Sequence, residues 1–531
     1  MKPEFSRDMF ARNVLANWCG HFVFLLSGFV IPRLVSDHVG PVRLGIWDFG
    51  WAMVGYLNLL TFGVASSVNR YVAFHRAQAR PDLLNSAASC CMAVFLGTGT
   101  AAVLITIGVC LTLPVFFAES FGVSMREAQW VVLLLGTSAS LEMPFSVYSG
   151  VITGSLRYGL LNVIKSGCHL LAVVAMVILL LLDRSLVALA WAIFLQTLLS
   201  GTLRAVAAQR VCKGLCMSLK AVTRSTLRDV IGFGGKSFLL QMARAIYYQT
   251  TSILIVYYLG PSALAIYARP TALLIHALKL VQEFAYVITP TASSMQGAGN
   301  PEGLKNFLYR VTEYSFAISL PIVLFIAVLG GEVLHLWMGP GYANSVLIAV
   351  LALGHLAVLT HVGTVCFLAG LHAHGRAALT ILTVSLCGVA MMILALGVLH
   401  KGLVTAAVIV GLSLTIAYGV LVPVVGTRVV GARLRPYVRA AFFRPLMANI
   451  PFMAVLAFAH CAGGRDYRLG LLVGVLGGGL TISVTYWLML LPDTIKRAIL
   501  RRITALGHGD KSRSATSAMP AVPMISSKES L

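Results

Sequence analysis

The sequence predicts an all-α polytopic membrane protein. About 14 transmembrane helices form two parallel six-helix lobes, followed by two extra C-terminal helices. Three observations predict this. Hydrophobic residues are 58% of the 531 and charged residues only 11%, with a mean hydropathy of +0.87. Apolar stretches recur almost end to end, each near the roughly 20 residues that cross a hydrocarbon core. The basic residues gather on one side of those stretches, as loop charge does in membrane proteins.

The expected spans are 14–34, 44–66, 85–113, 129–152, 160–182, 186–206, 231–259, 262–290, 312–331, 343–370, 377–399, 403–425, 446–463 and 468–491. The thirteenth is short and flanked by Arg444 and Arg465. Every span reads as helix, because a membrane barrel would show alternating segments of about ten residues. The longest polar pieces are 207–230, 291–311, 426–445 and 493–531. None reaches the roughly 50 residues of a soluble domain.

With the N-terminus in the cytoplasm, 29 of the 40 Lys and Arg residues fall in cytoplasmic pieces and 7 in the opposite loops. That asymmetry puts both termini in the cytoplasm and requires an even number of crossings. The net charge of +22 is spread over short loops and forms no module for nucleic acid. The first span follows Lys2, Arg7 and Arg12 but is too long for a signal peptide and has no convincing cleavage site, so it reads as an uncleaved helix. Most of the ten cysteines lie within spans and act as small apolar residues. Cys212 and Cys216 have no His partner nearby, so no metal site is expected there.

An internal repeat divides the chain. Val39-Gly-Pro-Val-Arg-Leu-Gly-Ile-Trp47 aligns with Leu259-Gly-Pro-Ser-Ala-Leu-Ala-Ile-Tyr267 at an offset of 220. The same offset pairs Asn17, His21, Phe24 and Gly28 of span one with Ser237, Gln241, Arg244 and Tyr248 of span seven. Each set follows the spacing of one helical face. Residues 1–230 are therefore expected as the first lobe, 231–426 as the second and 427–492 as spans thirteen and fourteen. Residues 493–531 form a cytoplasmic tail with little to bury, which reads as disordered. Six crossings per unit point both lobes the same way, with the symmetry axis along the membrane normal.

Charge within apolar helices marks the candidate site, since a charge at a helix centre costs roughly 2.5–3.5 kcal/mol on insertion scales. Span seven carries Ser237, Gln241, Arg244, Tyr248 and Thr251 on one stripe. Span eight carries Arg269, His276, Lys279, Glu283 and Tyr286 within about 100° of arc. These side chains face either a wet cavity for an anionic ligand or one another in an ion-pair lock. The two readings are compatible if the lock breaks during a transport cycle. Glu283 stands one turn from Lys279, whereas Arg244 and Arg269 have no local acid. Asn17, His21, Asp48 and Glu142 in the first lobe, with Glu283 in the second, are candidates for coupling or gating, and Asp48 and Glu142 are the acids that could reach across to the cations. Pro32 and Pro144 are candidate hinges. No P-loop, Gly-x-Ser-x-Gly, Asp-x-Asp or His-Glu-x-x-His is present, so no catalytic residue is nominated.

The chain resembles the polysaccharide-repeat flippases of the multidrug/oligosaccharidyl-lipid/polysaccharide (MOP) exporter superfamily over about residues 10–425. The resemblance rests on Leu44-Gly45 through Gly63, Arg70-Tyr71-Val72-Ala73, Pro144, Gly154 and Arg157-Tyr158. It continues through Tyr258-Leu259-Gly260, Ile266-Tyr267-Ala268, Pro290, Gly331-Glu332-Val333, Leu336-Trp337 and Gly341-Tyr342-Ala343. Many relatives carry an Asp near Gln249 and Thr250, and this chain has none there. The resemblance implies transfer of an undecaprenyl-diphosphate-linked oligosaccharide across a bacterial inner membrane, without enzymatic chemistry or cofactor. It implies the bilayer as surroundings, with a polysaccharide polymerase and glycosyltransferases as partners. Arg244, Arg269, Lys279, His276, Gln241 and Tyr248 would then hold the anionic head group, because guanidinium groups suit diphosphate. The competing readings are a cation-coupled drug or metabolite antiporter of the same superfamily, a lipid II flippase and a membrane glycan polymerase or ligase. Short outward loops and the cationic second lobe weigh against them.

Overall fold

The computed structural model describes residues 7–61, 64–78, 80–285, 287–464 and 466–507. Those residues form helices and turns, with no strand among them. Twelve of the described helices are long and apolar enough to cross a membrane. The full set of crossings is larger for two reasons. The first helix, Arg7–Leu57, holds spans one and two on either side of Gly40. Span seven is divided among Arg224–Ala245, a π-helical turn Ile246–Thr250, and Thr251–Leu259. The predicted all-helical, multi-pass membrane fold is the fold observed.

The other spans follow in order. Span three is Pro81–Phe116, span four Met125–Gly154, span five Tyr158–Leu181 and span six Leu186–Val211. Span eight is Pro261–Ala285, continued by Ile288–Gly297, and span nine is Pro301–Met338. Span ten is Ser345–Gly370, span eleven begins as His374–Ile393, and span twelve begins as Leu403–Leu414. Spans eleven and twelve pass through π-helical turns at Leu394–Val398 and Thr415–Leu421. Spans thirteen and fourteen are Leu434–Gly463 and Tyr467–Met489. Span thirteen is longer than its apolar stretch because its first turns are an arginine-rich amphipathic entrance. The tail also differs from expectation, since Asp493–Gly507 is helical.

Local chemistry explains several boundaries. Asn300 caps span nine by accepting from the Gly303 amide at 2.7 Å, and Pro301 starts the helix where no amide is needed. Asn344 caps span ten through the Leu347 amide at 3.0 Å. Helix continues through Pro32 and Pro144. The break in the first helix is at Gly40, whose φ of 87° and ψ of 167° an L side chain resists.

The repeated motif has one backbone form. Gly260 has φ 83° and ψ 168°, and like Gly40 it is followed by a proline that opens the next span. Further left-handed turns recur in the same order: Gly122 and Gly339, Leu156 and His372, Asp183 and His400, Gly214 and Gly431. These pairs stand 216 or 217 residues apart, so the offset of 220 belongs to the first two spans of each unit. Superposing residues 12–206 on 232–425 is expected to bring span one onto span seven and to keep all four later pairs in register. A fit obtained only after inverting one half would overturn the parallel repeat.

The two halves meet in a continuous apolar core at the end of the bundle where spans one and two join. Val35, Leu44, Ile46 and Phe49 from the first half pack in one cluster with Ile255, Leu264 and Leu274 from the second. The backbone of span two approaches the start of span eight so closely that a Cβ at Gly45 would collide with the Pro261 carbonyl. Spans thirteen and fourteen dock on span nine through Leu329, Phe452, Leu456 and Ala459.

Candidate translocation site

Helix direction sets the depth of each candidate. Span two leaves Gly40 and span eight leaves Gly260, so both descend from the same end. At 1.5 Å per residue Asp48 and Arg269 both lie about 12–14 Å below it. They meet. The buried Arg269 donates from one guanidinium nitrogen to both carboxylate oxygens of Asp48. The side chains are 4% and 15% exposed. This ion pair is made between the halves, and it neutralises the most buried cation of span eight.

The pair sits in a polar seam that closes the same end. Arg33 donates to the Trp337 carbonyl at 3.2 Å, and the Trp337 indole donates to the Phe29 carbonyl at 2.8 Å. The hydroxyls of Ser36 and Tyr342 are 2.8 Å apart. Burial pushes the Tyr342 phenol above its ordinary range, so it stays a neutral hydroxyl. Deeper in the bundle Tyr56 bonds Thr250, and Gln249 fills the space beside Gly55.

Below this seam the second half is cationic. Arg244 and His276 lie at similar depth, about 24 Å from the Gly260 end. Arg244 is exposed, and no carboxylate among the described residues is within ion-pair distance of it. It lines a small recess, with room for about one water, whose wall also includes Tyr247, Tyr248, Ser385, Ser413 and Tyr418. Two π-helical turns supply its tyrosines: Ile246–Thr250 carries Tyr247 and Tyr248, and Thr415–Leu421 carries Tyr418. Such turns widen a helix and often mark functional sites. The Tyr247 hydroxyl is used by the Val410 carbonyl at 2.6 Å. Among the described residues the buried Tyr248 hydroxyl has no hydrogen-bond partner, nor has His355 Nε2, and the two rings are 6.0 Å apart.

Gln241 is exposed one turn before Arg244, and Lys279 and Glu283 are exposed one and two turns beyond His276. The His276 ring is stacked with Phe29 of span one at 5.7 Å. The side chains of Asn17 and His21 lie outside the described residues, as do those of Ser237 and Tyr286.

Glu142 belongs to a separate cluster within the first half. Arg204 of span six donates to its two oxygens at 2.7 and 2.5 Å. Arg204 also bonds the Ser149 hydroxyl at 2.9 Å and the Ser200 carbonyl at 3.1 Å. Lys165 of span five approaches Glu142 at 3.8 Å. Lys165 and Arg204 lie near the ends of expected spans five and six, where they count toward the cytoplasmic charge; in the structure both approach Glu142 from within helices. The charge asymmetry survives their removal. Thr197, Ser200, Gly201 and Arg204 share one helical face by their spacing. That polar stripe is the signal that could have identified Arg204 as an internal residue.

Together, fold and site define a multi-span membrane protein whose two halves are joined by an ion pair and whose second half has a cationic, tyrosine-lined recess. A family of polysaccharide biosynthesis proteins matches residues 84–347. A putative O-antigen transporter from Shigella flexneri is 22% identical over 335 residues, covering 60% of this chain and 76% of the relative. The fold is similar to the inward-facing conformation of a multidrug resistance MATE transporter of the MOP superfamily. There the TM-score is 0.64 at 16% identity, with 77% of this chain and 94% of the other covered. It is also similar to the lipid II flippase MurJ in its inward closed conformation. The TM-score is 0.65 at 10% identity, with 89% and 98% covered. By sequence the chain is similar to polysaccharide biosynthesis proteins, and by fold to transporters of the MOP superfamily.

Proposed function

We propose that the protein moves a lipid-linked oligosaccharide, anchored on undecaprenyl diphosphate, across a bacterial inner membrane for assembly of a surface polysaccharide. Both termini are cytoplasmic in this reading, following the excess of Lys and Arg on their side. The observation that carries it is Arg244. This arginine has no neighbouring carboxylate among the described residues and opens on a recess of tyrosine and serine hydroxyls. Such a surface suits a diphosphate and the hydroxyls of a glycan, and it offers little to a cationic drug. The curated relative, described as a putative O-antigen transporter, supports the same substrate class.

In the proposed cycle, Arg244, Lys279, His276, Gln241 and Tyr248 receive the head group while the polyprenyl tail stays in lipid. Parting of Asp48 from Arg269 then opens the far end, and the two halves rock about the central site. Glu283, Glu142, Asn17 and His21 remain candidates for coupling that motion to an ion gradient. A polymerase and glycosyltransferases would consume and supply the substrate. Arg244→Ala is expected to abolish surface glycan in a complementation assay with membrane levels near wild type. Arg244→Lys is expected to keep partial output, because charge survives without the guanidinium fork. Full glycan output from Arg244→Ala would refute this assignment.

A further inference from the structure

The helix Asp493–Gly507 has no part in the proposed transport site. It starts four residues after Met489, the last residue of span fourteen, so it begins at the level of the bilayer surface. Lys496 reaches back to the Leu488 carbonyl at 3.5 Å and to Asp493 at 3.4 Å. Arg497 bonds the Asp493 carbonyl at 3.3 Å. The Leu488 contact ties the start of the helix to the end of the last span, and the other two lie within the helix. Ile495, at the start of its apolar stripe, is 45% exposed.

The sequence of this helix is that of an interfacial segment. Ile495, Ile499, Ile503 and Leu506 recur at a spacing that gathers them within about 80° of arc. The segment holds four basic residues, Lys496, Arg497, Arg501 and Arg502, and one acid, Asp493. An isolated 15-residue helix in water is marginal. An apolar stripe with basic neighbours gains stability at a lipid headgroup boundary, where the stripe enters the acyl edge and the long cationic stems reach phosphate. We infer that residues 493–507 lie on the membrane surface beside span fourteen and bind anionic phospholipid headgroups of the leaflet on the side of the termini. Charge complementarity and the position at the end of a span favour lipid over an acidic protein partner.

Trypsin tests this on the full chain, because it cuts after Lys496, Arg497, Arg501 and Arg502. The protein is placed in nanodiscs of phosphatidylcholine alone, or with about a third of phosphatidylglycerol. The expected result is that cleavage at those four positions slows at least about tenfold in the anionic discs. Cleavage at Lys511 and Arg513, beyond the helix, should proceed equally in both and corrects for effects on the protease. Raising salt, or the double substitution Ile495→Asp with Ile499→Asp, is expected to remove the protection. Equal cleavage in both discs would overturn the inference, and so would protection that persists in neutral discs. Protection that requires an added cytosolic extract would also overturn it, in favour of a protein partner.

Discussion

Arg269→Ala is expected to deplete the protein from the membrane, where Arg244→Ala leaves its level unchanged. The difference follows from what each arginine touches. Arg269 is almost wholly buried and binds the carboxylate of Asp48 from the other half. Its removal strands an acid among apolar spans, a change that costs about 3–5 kcal/mol in buried pairs. The double substitution Asp48→Asn with Arg269→Gln is expected to recover most of that loss, because no charge is stranded. Arg269→Lys should lose less than the alanine variant, since a single nitrogen makes both bonds to Asp48. Thermal unfolding of the purified protein, measured beside membrane abundance, checks the set. An Arg269→Ala variant as stable as wild type would show that the pair contributes little. A stable double variant that no longer exports glycan would place the pair in the transport cycle.

The fold was legible because lipid leaves the chain few choices. A backbone in hydrocarbon must bond to itself, so apolar stretches of about 20 residues read directly as helices. The first repeat was legible because a sharp break needs glycine followed by proline, and that pair leaves a sequence trace at 40–41 and 260–261. The other recurrent turns use Leu156, Asp183, His372 and His400 at positive φ, residues that carry no such trace. The shift in offset to 216 or 217 was therefore invisible. The tail helix was read as disordered because its core partner is absent from its own sequence; its pattern makes sense only beside a surface.

The candidate site was legible in its residue types and less so in its pairings. Composition marked Asp48, Glu142, Arg244 and Arg269 as costly in a span. It did not say which of them satisfy one another. Asp48 and Arg269 stand 221 residues apart, and only the descent of spans two and eight from matching breaks puts them at one depth. The outcome separates the cations. Arg269 joins the halves through Asp48, while Arg244 has no carboxylate partner among the described residues. Arg204 escaped notice because a basic residue near the end of a span reads as a marker of topology.

Arg204 carries the other large expected effect. Its side chain is 1% exposed, lies 5.9 Å over the Phe145 ring and spends four hydrogen bonds on Glu142, Ser149 and Ser200. Arg204→Met keeps the apolar stem and removes the charge. Glu142→Gln keeps the shape of the acid and leaves the guanidinium buried without a counter-charge. Each is expected to destabilise the protein by about 2–3 kcal/mol, below the range for a fully buried pair because Glu142 is 41% exposed. The combination Arg204→Met with Glu142→Gln is expected to cost clearly less than the two effects added, because neither charge remains to be stranded. Lys165→Ala should change stability by less than about 1 kcal/mol. It is half-exposed, and Arg204 already satisfies both oxygens of Glu142. A double-mutant cycle on thermal unfolding measures the coupling, and strict additivity would show that the two residues do not act as a pair. Glycan export by the same variants separates structure from coupling. If Glu142 only holds spans four and six together, export should follow protein level across the cycle. If Glu142 exchanges a proton during transport, Glu142→Gln should stop export even where the protein is present at wild-type abundance.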